Sequence, residues 1–364
     1  MAKFCFFYEK AMRKFYYLIL QKYKEYIYTN NVKIFFFLIL SFLLTFCNNK
    51  LDVFDNWQDH TIVYGLLNAS DTQQIIRVSK AFSGEGNAYN MAQIMDSIYY
   101  NKPISVKIEE WLNGNLIKTI SFHKDSSIAR DSGVFAYQKN YYFVTNEALN
   151  ADALYKLNIQ IDGKTVSSET KLINNFNLQN VPAAISFTST SLKFSIKTPA
   201  NARLIQPNLR FFYYELTATD TTKHFFDIKL PIYTTNTIDG NEIINVEFPS
   251  VKFFENVANQ IKNNDQVIKR IPAQGSIQII TYAGSNELYA YMQVSAPSTS
   301  LSMDKPSYTN IINGIGLFTS RYTKRETPKP LAQRTVDSLA MGIYTKHLKF
   351  TNYATTQLNW ELFP

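Results

Sequence analysis

ISVKIEEWLNGNLIKTISF, residues 104–122, decides how the chain is built. Ile104, Val106 and Ile108 alternate with Ser105, Lys107 and Glu109, and a period of two places one set of side chains on a single face of an extended strand. The run stops at Asn113 and Gly114, then apolar residues return through Leu116, Ile120 and Phe122. Asn-Gly suits the positive φ angles of a tight type I′ turn, so the two runs form an antiparallel hairpin. Asp162 and Gly163 repeat the device between runs at 154–161 and 165–172. Working outward, further runs at 60–67, 73–80 and 134–144 are rich in Ile, Val, Tyr and Phe and complete a seven-strand block that suits a sandwich.

Tyr155, with Leu157 two residues on and Asp152 and Ala153 just before, resembles the tyrosine corner of immunoglobulin-like sandwiches. A turn-rich stretch at 174–182 (NNFNLQNVP) reads as a linker, after which strand-like runs resume at 184–187, 192–197, 209–217, 225–230, 243–248, 276–283 and 287–294. Helical spacing of Val251, Phe254, Val257, Ala258 and Ile261 predicts one short amphipathic helix, and 331–341 predicts another. The expected architecture is mainly β: two antiparallel β-sandwich domains of immunoglobulin or fibronectin type with a few short helices. Their bounds are 47–174 and 183–364, separated by a linker at 175–182 and preceded by a leader with an upstream extension at 1–46.

The leader follows from charge and apolar length. Of the formal +8, a surplus of +5 lies before Cys47, where seven basic residues face two acidic ones; the rest carries 30 against 27. No basic stripe is left to bind nucleic acid. The uninterrupted apolar run IFFFLILSFLLTF, residues 34–46, is shorter than the ~20 residues of a membrane-crossing helix and has the length of a signal-peptide core. Leu44, Thr45, Phe46 and Cys47 resemble the lipobox of bacterial lipoproteins, with Phe46 standing where that signal usually has a small residue. That resemblance implies a lipid on Cys47 and attachment to a membrane. Cleavage removes Cys5, so no free thiol remains in the body, as suits an oxidising compartment.

Chemistry-bearing motifs are sparse. His60, His123, His224 and His347 are isolated, no serine sits in a G-x-S-x-G elbow, and Glu109 and Glu110 alternate across a strand. The expectation is therefore no catalytic residue, no metal and no cofactor. Gly314 and Gly316 precede no helical pattern, so they read as a turn at Asn313 and Gly314 entering a strand, with Gly316 allowing close backbone approach. The connection at 84–97 is longer than adjacent strands require. Gly84, Glu85, Gly86, Asn87 and Tyr89 are the candidate partner-binding loop, and a short helix at 87–98 plugging one sandwich end with Met91, Ile94, Met95 and Ile98 is the structural alternative. Tyr213 and Tyr214 in the aromatic run 211–214 are the candidate ligand-stacking pair.

The runs HTIVYGLLN and IIRVSKAF, the segment Phe82 to Ala88 with Met91, Ala92, Gln93, Asp96 and Ser97, and YTNIINGIGLF at 308–318 together resemble the Bacteroidota envelope lipoproteins grouped as domain of unknown function 4249. The likeness covers nearly all of the mature chain. It implies an outer-membrane, lipid-anchored accessory protein associated with a TonB-dependent transporter, and the sparse chemical motifs add the expectation that it is not an enzyme. A lipoprotein that binds glycans or small ligands at the cell surface is the alternative.

Overall fold

A computed structural model describes residues 13–14, 16–26, 60–81, 87–296 and 307–351. The chain divides into two compact units, 1–57 and 58–364. In the first, residues 16–26 are helical. The leader core at 34–46 and Cys47 lie outside the described residues, as do Gly84, Glu85 and Gly86.

The second unit is mainly β with a few short helices. Its first strands are β1 (Thr61–Leu67) and β2 (Gln74–Lys80), followed by two short helices, α1 (Ala88–Ala92) and α2 (Met95–Ile98). Strands β3 (Ile104–Leu112), β4 (Asn115–Asp125), β5 (Tyr142–Thr145), β6 (Leu154–Ile161) and β7 (Lys164–Lys171) follow. Both predicted hairpins form. Leu112 pairs with Asn115 across Asn113 (φ 51°) and Gly114 (φ 81°), and Ile161 pairs with Lys164 across Asp162 (φ 50°) and Gly163 (φ 79°). Alternation buries Tyr155, Leu157, Ile159 and Ile161 against Val106, Ile108, Ile120 and Phe122. Each such side chain taken fully out of water contributes about 1.5–3 kcal/mol. The buried hydroxyl of Tyr155 accepts the Asn150 N–H at 2.7 Å, five residues upstream, and donates to Glu110 Oε2 at 2.7 Å. Burial, then the Glu110 carboxylate, pushes this phenol far above its ordinary pKa.

The rest of the unit contains β8 (Leu178–Gln179), β9 (Ser191–Lys197), β10 (Leu204–Leu216), β11 (Thr221–Lys229), β12 (Tyr233–Thr234) and β13 (Ile243–Pro249). Helix α3 (Ser250–Gln260), β14 (Lys269–Gly284), helix α4 (Asn286–Ser295), β15 (Gly314–Arg325) and helix α5 (Gln333–Met341) complete it. Among the described residues, one mixed sheet runs β11-β10-β14-β15-β1-β2-β5-β4-β3-β6-β7, with β12 beside β10, and β13-β9-β8 form a second. The second sheet, α3 and α5 enclose a core with the inner faces of β10 and β14, in which Phe187 stacks on Phe253 at 4.0 Å. Arg270, almost wholly buried, pairs with Glu215 at 2.7 Å and donates to the carbonyls of Leu348 and Lys262.

β15 joins the halves of the long sheet. Gly314 to Ser320 pair in parallel with β1, and Arg321 to Arg325 pair antiparallel with β14. The strand begins after Asn313 (φ 59°), as its turn residues imply. Gly316 has φ 122°, and a Cβ there would run into the carbonyl oxygen of Val63.

Three local expectations are corrected. Residues 287–294 form helix α4 rather than a strand: Ser285 accepts the Leu288 N–H, capping the helix, and Glu287 sits in its first turn, where the helix dipole favours an acid. The run 134–144 shrinks to β5, because Val134, Phe135 and Tyr137 find no core face and remain exposed in a loop. Residues 184–187 contribute only an isolated bridge between Ile185 and Leu331.

Candidate functional site

Two long connections, one described over residues 87–103 and the other over 126–141, come together beside β2, β4 and β5. The first is shaped by α1, whose N-terminus is capped when Asn87 Oδ1 accepts the Tyr89 N–H at 2.9 Å. The second starts in a turn where Asp125 accepts the backbone N–H of Ser127 at 2.8 Å, a bond that draws the exposed carboxylate below its ordinary pKa. Tyr142 then holds the loop by accepting the Ile128 N–H at 2.7 Å. The connections are tied together where Ala136 N–H donates to the carbonyl of Ala92 at 2.8 Å. Ile98, Tyr99 and Ala136 bury one another there, with Met95 and Tyr141 packed against them.

Beside this cluster lies a cavity of about 720 Å3, within the range of small-molecule sites. Ile104, Phe122 and Phe143 give it an apolar wall. Tyr99 and Tyr141 meet edge to face at 5.2 Å, and Arg77 fixes Tyr99 by donating to its hydroxyl at 3.3 Å. Tyr100 is held by a 2.9 Å hydrogen bond between its hydroxyl and Thr61 Oγ1. Three lysines, Lys102, Lys124 and Lys139, face one lining carboxylate, Asp96. Lys102 is paired with Asp162, while the Lys124 ammonium sits 3.9 Å above the Tyr141 ring. The cavity combines an apolar wall with a surplus of positive charge, a composition suited to recognition.

The predicted loop residues divide across this picture. Asn87 caps α1 and Tyr89 projects from it, 65% exposed. Helices α1 and α2 also supply the plug that was the alternative reading, with Ala92 and Ile98 buried, although Ile94 is exposed. The sequence offered no local signal for Lys124, Tyr141 and Phe143, because they reach the cavity from other strands and from the second connection.

The structure does not make a stacking platform of Tyr213 and Tyr214, which are only 7% and 5% exposed. Tyr213 lies on the inner face of β10, stacked on Phe211 and His224 at 5.7 and 5.6 Å, and burial pushes its phenol up to about 12. Tyr214, on the opposite face, pairs with Ile271 of β14 and lies beneath Lys223. The exposed ring of that strand pair is Phe225, overlain by Arg210 at 4.2 Å, whose guanidinium makes two bonds to Asp227. A second cavity of about 580 Å3 is lined by Glu109, Lys156, Asn158, Glu169, Glu287 and Tyr308, among others. Among the described residues, no group of three or more His, Cys, Asp or Glu is placed to hold a metal.

No curated protein matches the chain. The family described as Domain of unknown function (DUF4249) matches residues 51–327, which is most of the chain and takes in both long connections and the whole of β15, and the protein belongs to that family.

Proposed function

We propose that this protein is a lipid-anchored component of the bacterial cell envelope that works by binding rather than by catalysis, with the cavity between the two long connections as its recognition surface. Cys47 carries the lipid in this reading, and a TonB-dependent outer-membrane transporter is the partner that the family resemblance implies. The observation that carries the binding role is the bond from Ala136 to the carbonyl of Ala92: it unites two loops that could have projected separately into one shaped concavity. The lipid anchor rests on the apolar core at 34–46 ending at Cys47.

Photo-crosslinking from Tyr89 in native envelopes tests the partner. The expected result is a crosslinked outer-membrane β-barrel; recovery of none removes the accessory role. Cys47→Ser tests the anchor, and the substituted chain should stay folded but move from the membrane to the soluble fraction. Equal membrane retention, with no fatty acid on the wild-type cysteine, would count against lipidation.

A further inference from the structure

The cavity's charge does more than mark it as a binding surface. Among the described residues, neither Lys124 nor Lys139 pairs with a carboxylate, whereas Lys102 has Asp162. Lys124 rests on the face of Tyr141, which stabilises the ammonium without neutralising it. Beside these cations stands an apolar wall of Ile104, Phe122 and Phe143, and Asn101 and Gln138 add polar side chains to the lining. Apolar wall and unneutralised positive charge together fit a molecule with a compact ring body and an acidic group.

We infer that the cavity binds a ring-bearing carboxylate, its body against Ile104, Phe122 and Phe143 and its acidic group drawn to Lys124 and Lys139. This rests on the reading of the cavity as a recognition surface. It extends that reading to ligand chemistry and does not depend on the anchor or the transporter. Two sources share the chemistry, an aromatic acid and an acidic sugar. Lys102 is paired with Asp162 and is outside the proposed contact.

The purified full chain in detergent would be titrated calorimetrically with 4-hydroxybenzoate and with trigalacturonate, against phenol and a neutral galactose trimer. At least one acidic probe should bind saturably, with affinity that falls as salt rises, and the matching neutral compound should bind at least about tenfold more weakly. Binding of 4-hydroxybenzoate alone would assign an aromatic acid, and binding of trigalacturonate alone an acidic glycan. Lys124→Gln combined with Lys139→Gln should weaken the acidic probe about tenfold or more with circular dichroism unchanged, since both side chains are exposed. Lys124→Arg should restore most of the loss in the Lys124→Gln single variant. No binding of either acid, equal binding of the neutral compounds, or full affinity in the double variant would each overturn the inference. None of these results alters the crosslinking test of the partner, so the two readings fail separately.

Discussion

At Gly316 the parallel pairing of β15 with β1 brings two backbones closer than a side chain permits. The residue has φ 122°, and an added Cβ would collide with the carbonyl of Val63. Gly316→Ala is therefore expected to lower stability by about 3 kcal/mol or more, combining a disfavoured backbone conformation with a steric clash at the centre of the sheet. Gly133→Ala is the control, because nothing lies within 4 Å of its added Cβ, and its effect should stay within about 0.5 kcal/mol. Urea unfolding of both variants checks this, and equal midpoints would show that the strands can separate at no cost. Gly316 was legible in the sequence, as were the turns at Asn113-Gly114 and Asp162-Gly163, because a special backbone angle leaves a local signature. The burial of Tyr214 was not. Alternation predicts that one of two adjacent tyrosines faces away from the core, but it carries no information on what a remote strand such as β14 and a neighbour such as Lys223 place over the other face.

Elements show the same division between local and distant signals. Helix α3 was readable as a helix from the spacing of its apolar residues, although Phe253 and Val257 carry its buried face and Val251 is exposed, whereas ELYAYMQV in α4 is almost continuously apolar or aromatic and fits two periods equally poorly. Its capping serine, Ser285, was the informative residue. The loop from β12 to β13 is closed by a comparable polar device: Glu242 accepts the backbone N–H groups of Thr237 and Asn236 at 2.8 and 3.0 Å. These bonds, that from Thr237 first, lower the pKa of its carboxylate below the ordinary 4.5. A carboxylate whose folded pKa is depressed stabilises the folded loop above the unfolded pKa, and that contribution disappears as the pH falls through the folded value. Amide exchange at Asn236 and Thr237, corrected for intrinsic rates, should therefore lose protection on acidification below 4.5 in the wild type. Glu242→Gln should remove most of this pH dependence, and an unchanged profile would show that another group closes the loop.

At the scale of the whole molecule, β15 makes the residues before 174 depend on residues after 307. Its first half pairs with β1, Ile312 bridges to Ser167 of β7, and Ser320 Oγ donates to the carbonyl of Lys171 at 2.7 Å. Ile311 and Phe318 enter the core built by β1 to β7. That contribution arrives from the far end of the sequence, so a block of seven strand-like runs looked self-sufficient when read by periodicity alone. Removing a buried phenylalanine side chain costs about 3–5 kcal/mol, a large part of the roughly 5–15 kcal/mol that holds a typical domain together. A fragment of residues 58–174 would lose Phe318, Ile311 and the neighbour of β1 at once. Such a fragment should show no cooperative thermal transition and poorly dispersed amide NMR signals. Joining residues 307–325 after position 174 through a flexible linker should restore both dispersion and a transition, because the segment supplies the missing core side chains and covers the edge of β1. Cooperative unfolding of the fragment alone would mean that β1 to β7 close without β15. Failure of the joined chain would mean that β14, the other partner of β15, is also needed to hold the strand in register.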